Sequence, residues 1–336
     1  MDGLGIVTSS VRHVSHFFNR LALKFRDRSH PRDSEGDMRI ATYQWGGCRH
    51  VGVLSNDARE VTPIDLKRRQ EQVQSRGALA LIEHLAEGND FPSTNGARLP
   101  LSAITLDAPL PRPRRNLWCV GRNYRAHAKE LQGTVFKDDG NGAAAKIDQW
   151  PIVFTKVPEC VIAPGDPIRL PGRAASEQID YEAELAVVIG RTGTNIPAAR
   201  AMDHVWGYTI VNDITARDVQ MRHVQWDMGK SFDTFCPMGP WLVDATELDG
   251  RDTRVRLWVN GELRQDARTV DLIFGIPTLI ETISRGITLY PGDVIATGTP
   301  AGVGMGMQPP TWLKAGDTVR IEIDGIGVLE NPVVAH

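Results

Sequence analysis

The sequence predicts an α+β fold resting mainly on mixed or antiparallel β-sheet. Three observations predict it. Short runs of strand-forming residues are dense after Asn116, with helical segments between only some of them. There is no regular β-α alternation and no G-x-G-x-x-G entering a helix, so a Rossmann-type reading fails. Glycine (32) and proline (21) point to many turns rather than long helices.

Residues 1–37 stand apart. "VRHVSHFFNRLALKFRDRSHPRDSEGD" joins an amphipathic, arginine-rich segment to a charged stretch ending before Met38. No apolar run leads into a small-residue cleavage site, so a secretory signal is not expected. The arginines and serines suit a mitochondrial presequence, but Asp2, Asp27, Asp33, Glu35 and Asp37 weaken that reading. The simpler reading is an N-terminal extension, expected to be disordered, upstream of a domain that begins near "MRIATYQW". Residues 38–112 then read as a small α+β domain: "RIATYQW" and "HVGVLS" are strand-like, and "ALALIEHLAEG" is a helix stopped by glycine. "PLPRPRRN" at 109–116 reads as a linker. The larger unit, 113–336, carries the strand runs "NLWCVG", "PIVFTK", "AELAVVIG", "VWGYTIVND", "GPWLVDA", "RVRLWVNG", "DVIATG" and "TVRIEID". Helices are expected within "TARDVQMRHVQWD" and "LIFGIPTLIETISRG".

Bulk composition narrows the function classes. Hydrophobic content of 41% and charged content of 24% are ordinary for a globular chain. A net charge of −3 supplies no basic field for nucleic acid. No apolar run approaches the roughly 20 residues that span a bilayer. Cys48, Cys119, Cys160 and Cys236 lack C-x-x-C spacing, which argues against a disulfide framework or thiolate zinc site and fits a reducing compartment. The expected location is the cytoplasm, with the mitochondrion as the alternative.

The stretch "IDYEAELAVVIG" packs Asp180, Glu182 and Glu184 into five positions at the mouth of an apolar strand. Residues two apart on a strand share a face, so Glu182 and Glu184 project together. Either the acids lie on a solvated face, or something positive holds them. A hard divalent cation such as Mg²⁺ takes carboxylate oxygens and relieves the repulsion. Asp213 adds a third carboxylate at a strand-to-helix corner, where Thr215 and Asp218 are placed to cap the helix. Arg217 and Gln220 are three apart and share a helix face, and Lys230 follows in a glycine-punctuated loop. Near Asp213 they suit a substrate carboxylate; elsewhere they are surface side chains. His127 and Glu130, three apart in "CVGRNYRAHAKEL", form either a surface pair or a water-activating dyad. "GDVIATGTPAGVG" at 292–304 lets backbone N–H groups and Thr299 approach a ligand closely, without the lysine of a Walker loop.

Taken together, "CVGRNYRAHAKE", "PIVFTK", "DYEAELAVVIG", "GYTIVNDITARDVQ", "GKSFDTFCPMGP", "VNGELRQ" and "LYPGDVIATGTPAGVG" resemble the fumarylacetoacetate hydrolase family in order and content, from about Asn116 to the C-terminus. "GKSFDTFCPMGP" with "PPTWLKAGD" is most similar to the branch containing the animal fumarylacetoacetate hydrolase domain-containing protein 2. The resemblance implies a mixed β-sandwich roll of the family's C-terminal-domain type, a smaller N-terminal domain, and a homodimer. It places metal ligands at Glu182, Glu184 and Asp213 for Mg²⁺ or Mn²⁺, a catalytic dyad at His127 and Glu130 with Lys230, and substrate contacts at Arg122, Lys156, Arg217, Gln220 and Thr299. It puts a mobile lid at 131–150.

The partner implied is a small 2-oxo or 2,4-dioxo acid, with neither nucleic acid nor membrane. The reaction favoured at this level is metal-dependent hydrolysis of a C–C bond in an acylpyruvate, with Lys230 stabilising oxyanion charge. Oxaloacetate keto–enol tautomerisation and 2-oxo acid decarboxylation are the alternatives at the same site. A non-catalytic, metal-stabilised scaffold is the rival from another class, and His127, Glu130 and Lys230 argue against it.

Overall fold

The computed structural model describes residues 38–94, 96–130 and 149–336. The extension 1–37 and all but the last two residues of the expected lid therefore lie outside the described residues. The chain opens as an antiparallel meander of β1 (Arg39–Trp45), β2 (Cys48–Leu54) and β3 (Glu60–Pro63). Gly46 and Gly47 make the first turn possible: both have positive φ (58° and 79°), and Trp45 pairs with Cys48 across them. Helices α1 (Gln70–Arg76) and α2 (Leu79–Ala86) follow.

After them come β4 (Leu117–Gly121), α3 (Arg125–Glu130), β5 (Ile152–Lys156), the short β6 (Ile179–Asp180) and β7 (Ala183–Ile189). Next are β8 (Val205–Asn212), β9 (Thr215–Ala216), α4 (Arg217–Arg222), the single turn α5 (Asp227–Lys230) and β10 (Cys236–Asp244). The chain closes with β11 (Arg254–Val259), β12 (Glu262–Arg268), α6 (Ile276–Ser284), β13 (Val294–Ala296), β14 (Thr318–Ile323) and β15 (Gly327–Val334).

Most strands join one 12-stranded sheet, nine of whose strands run in the order β3-β2-β1-β10-β8-β7-β13-β4-β5, with Leu99–Pro100 paired outside β3 and β1 bonded to β10 by the pairs Arg39–Val243 and Ile40–Leu242. The pairing is antiparallel except where β13 meets β4 and Cys236–Pro237 meets Val161–Ile162. A five-stranded sheet containing β12-β11-β14-β15 covers one face of the large one. The fold is α+β, as the strand density predicted.

β7 shows why this sheet reads as an apolar run. Leu185, Val187 and Ile189 enter a core shared with Val255, Leu257, Ile321 and Ile323 of the smaller sheet. Ala186 and Val188 point the other way, into a core closed by Leu79, Leu81 and Ile82 of α2. Period-two alternation thus buries both faces, and each large side chain so buried contributes roughly 1.5–3 kcal/mol. Among the described residues no helix is long and apolar enough to cross a membrane.

Two local expectations are corrected. The run 109–116 is packed rather than loose. Leu110 is fully buried, the Pro109 carbonyl accepts from Thr42 Oγ1 (2.8 Å) and the Ala78 amide (3.0 Å), and Arg115 Nε donates to Asp293 (3.0 Å). The Thr215–Asp218 cap does not form. Thr215 Oγ1 donates to the Asp213 carbonyl (2.9 Å), and α4 starts after Ala216 with no side-chain cap. The strand pairing of Thr215 with Asp180 commits that backbone elsewhere.

Candidate active site

The acids sit where a strand breaks. β6 pairs with β9 and β7 with β8, and the residues between them, Tyr181 and Glu182, belong to neither strand. The Glu182 carbonyl accepts from the Asp213 amide (2.9 Å), and its amide donates to Asn212 Oδ1 (3.1 Å). These bonds bring the corner at Asp213 against the break. Glu182, Glu184 and Asp213 each offer a carboxylate oxygen, and these oxygens lie within 4.8 Å of one another in buried positions.

Cations compensate them unevenly. Lys230 Nζ lies 2.7 Å from Glu182 Oε2 and 2.6 Å from Asp213 Oδ2. Arg217 Nη2 is 2.6 Å from Glu182 Oε1, and its Nη1 donates to Gln220 Oε1 (3.2 Å). Glu184 makes no ion pair among the described residues; Oε2 accepts from the Gly298 amide (2.8 Å). The consequences differ. Burial pushes Glu182 up, but Arg217 and Lys230 outweigh it and hold the carboxyl well below the usual range. Burial, then the charges of Asp213 and Glu182, push Glu184 far above that range. Three hard oxygen donors, one lacking a counter-ion, suit a divalent cation with oxygen preference.

His127 is 3% exposed, and its Nδ1 lies 3.2 Å from Glu130 Oε2. Glu130 Oε1 also accepts from the Gly302 amide (2.9 Å), so the carboxylate is fixed at both oxygens. The expected dyad pair is thus in contact.

A small cavity of about 20 Å³ joins these groups. Its lining includes Arg122, His127, Glu182, Glu184, Lys230 and Thr299, with Arg217, Gln220 and Trp226 beside them. Arg122 projects from a left-handed backbone, φ 55°. Thr299 Oγ1 accepts from Gln265 Nε2 (2.8 Å). Of the residues the sequence nominated, Glu130, Asp213 and Lys156 are outside the lining, and among the expected substrate contacts that residue is Lys156. It is fully buried behind the cluster, its ammonium 2.8 Å from Asp213 Oδ1 and 3.1 Å from the Ile214 carbonyl, and also bonded to the Lys230 carbonyl. Its ammonium supports the Asp213 carboxylate.

Sequence reasoning missed the supports. Asp180, fully buried, accepts from Arg217 Nε (2.9 Å) and from the amides of Gly304 (2.7 Å) and Met305 (3.0 Å). Gln265 accepts from the Ala183 amide (2.9 Å) and donates to the Pro300 carbonyl (2.7 Å). Asn123 donates to the carbonyls of Thr297 (2.8 Å) and Phe274 (3.0 Å). The glycine-dense loop also differs from expectation: the amides of Gly298, Gly302, Gly304 and Met305 grip Glu184, Glu130 and Asp180, not a ligand. The signal for Asp180 was present in its parity with Glu182 and Glu184; its partners, 37 and 124 residues away, were not legible.

Comparison with known proteins gives consistent matches. Residues 116–334 match the family described as fumarylacetoacetate (FAA) hydrolase C-terminal. The chain is 44% identical over 314 residues to oxaloacetate tautomerase YisK of Bacillus subtilis, covering 88% of this chain and all of that protein. It is 44% identical over 239 residues to the mitochondrial oxaloacetate tautomerase FAHD2A of Homo sapiens, covering 70% of this chain and 71% of that one. Among solved structures, a fumarylacetoacetate hydrolase from Exiguobacterium antarcticum superposes with a TM-score of 0.73 at 39% identity, covering 89% of this chain and 100% of that one. A 5-carboxymethyl-2-hydroxymuconate delta-isomerase from Mycobacterium smegmatis gives 0.69 at 35%, with the same coverage.

Proposed function

The chain belongs to the fumarylacetoacetate hydrolase family, and from that premise we propose that it is a divalent-metal-dependent tautomerase interconverting the enol and keto forms of oxaloacetate. The observation that carries this reading is one cavity lined both by the carboxylates Glu182 and Glu184, clustered with Asp213, and by the His127 imidazole. Glu182, Glu184 and Asp213 would hold Mg²⁺ or Mn²⁺, which would supply Lewis acidity for a 2-oxo acid.

The chain's own residues do the rest. His127, with Nδ1 engaged by Glu130, presents Nε2 to move the proton at carbon three. The proton removed there is balanced by one delivered to the 2-oxo oxygen, so nothing is consumed. Lys230 brings positive charge beside the oxygen where enolate charge gathers. Arg122, Gln220 and Thr299 orient the carboxylates, and Arg217, held by Asp180 and Glu182, keeps Gln220 in place.

The sequence alone put C–C hydrolysis first. The relatives named as oxaloacetate tautomerases weigh toward proton transfer without cleavage. Acylpyruvate hydrolysis stays as the second reading because the His127–Glu130 contact also suits a water-activating pair. The proposal includes a homodimer and a reducing compartment, cytoplasmic or mitochondrial; all four cysteines are free, and several relatives are named as mitochondrial.

The test follows the ultraviolet absorbance of enol-oxaloacetate with Mg²⁺ and after EDTA treatment, beside acetylpyruvate hydrolysis under the same conditions. Metal-dependent loss of the enol above its spontaneous rate is expected. Fast hydrolysis with no tautomerisation would put the second reading first. A protein that turns over neither and ignores oxalate would be a scaffold.

A further inference from the structure

The proposed chemistry gives roles to the polar groups of the cavity and leaves Trp226, a lining residue just ahead of α5, without one. Its indole is held on several sides. A Cβ on Gly121 would come within 2.3 Å of Trp226 Cζ3 and 2.8 Å of Cη2. Gly121 ends β4 without positive φ, so glycine is needed there for the indole's sake and not for the backbone's. Phe154 of β5 lies against the ring, centroids 5.3 Å apart and planes at 59°. The next residue, Asp227, accepts from Thr155 Oγ1 of β5 (2.5 Å), which pins the turn to the strand. Four residues on, Lys230 enters the carboxylate cluster and lies 4.9 Å over the Phe154 ring. The turn that delivers the cation therefore also sets the indole.

Among the described residues, Trp226 is the one bulky apolar side chain in the cavity's lining. Polar groups recognise the 2-oxo acid head, which every candidate substrate shares, so they do not select among tails. An immobile apolar wall does, by size, and one methylene against such a wall is worth roughly 10–200-fold.

We propose that Trp226 is the specificity-determining residue of this cavity: its indole confines the ligand to compact 2-oxo diacids and excludes 2,4-dioxo acids with longer acyl groups. The inference rests on the 2-oxo acid reading above and adds the element that sets chain length.

The test uses the full chain with Mg²⁺. Dissociation constants for oxalate and for acylpyruvates of increasing acyl length are measured by calorimetry on wild type, Trp226→Ala, Trp226→Phe, Gly121→Ala and the Gly121→Ala/Trp226→Ala double variant, with melting curves as a folding control. Wild-type affinity should fall with acyl length. Trp226→Ala should flatten that fall, tightening the longest acid by roughly tenfold or more while oxalate affinity holds, and Trp226→Phe should lie between. Gly121→Ala displaces the indole, so it should change the length dependence only while Trp226 is present. The same length dependence in wild type and Trp226→Ala overturns the proposal. Failure of wild type to bind oxalate or turn over oxaloacetate is a different result: it removes the 2-oxo acid reading, and this inference falls with it.

Discussion

Replacing Asp180 by alanine tests whether the site is held from behind. Asp180 accepts four hydrogen bonds while fully buried: from Arg217 Nε (2.9 Å) and from the amides of Tyr181 (2.9 Å), Gly304 (2.7 Å) and Met305 (3.0 Å). Removing one partner of a buried ion pair costs about 3–5 kcal/mol, since the remaining charge is left in low dielectric. Arg217 keeps Glu182 at 2.6 Å, which pulls this toward the lower end. Each buried amide left unpaired adds roughly 1–3 kcal/mol, reduced where water enters the space vacated. A total of about 6 kcal/mol is expected, a large part of the roughly 5–15 kcal/mol that holds a domain folded. Asp180→Asn keeps an oxygen and should lose about half as much. Urea unfolding reads the total, and amide exchange at Gly304 and Met305 reads the cause. Both amides should exchange roughly tenfold faster or more, the equivalent of one lost bond of about 1.4 kcal/mol. A variant within about 1 kcal/mol of wild type, or unchanged exchange at those two amides, would refute the idea that Asp180 anchors the loop and the guanidinium.

Three further outcomes follow from the same geometry. Glu182→Ala or Asp213→Ala should weaken Mg²⁺ binding measured by calorimetry and abolish metal-dependent turnover while the fold largely persists; full activity in EDTA-treated enzyme would remove the metal assignment. His127→Ala should lower enol–keto tautomerisation of oxaloacetate by roughly 10²–10⁴-fold, so steady-state rates equal to wild type would take His127 out of the mechanism. Gly298→Ala places a Cβ 2.7 Å from Asn123 Cβ and 3.0 Å from the Val120 carbonyl oxygen at φ 105°, so a loss of about 2 kcal/mol or more should appear in thermal melting; an unaltered melting curve would mean that the loop relaxes freely.

The acids at the heart of the site were legible because their spacing is local. Glu182 and Glu184 lie two residues apart, although Glu182 falls in the break before β7 and not on the strand that a period-two reading assumes, and Asp213 announces itself at a strand end. The doubly buried β7 was legible from its unbroken apolar run. Direction of use was not: glycines at 298, 302 and 304 signal close approach by backbone, but whether an amide meets a ligand or a carboxylate depends on strands more than a hundred residues earlier. The same distance hid the burial of Leu110 and the pairing of β1 with β10, since a proline-rich run and an isolated strand read alike whether docked or loose. That Lys156 is fully buried against Asp213 was not legible, because sequence reports charge and not depth.

The grip of residues 298–305 on Glu184, Glu130 and Asp180 also bears on when the site comes into being. Those acids are all synthesised in the first 184 residues, yet the amides that set their spacing emerge only with the last quarter of the chain. A nascent polypeptide paused before Gly298 would carry the imidazole and the acid cluster with none of these loop bonds made. One stretch of backbone near the C-terminus thus holds three carboxylates that the chain lays down more than a hundred residues earlier.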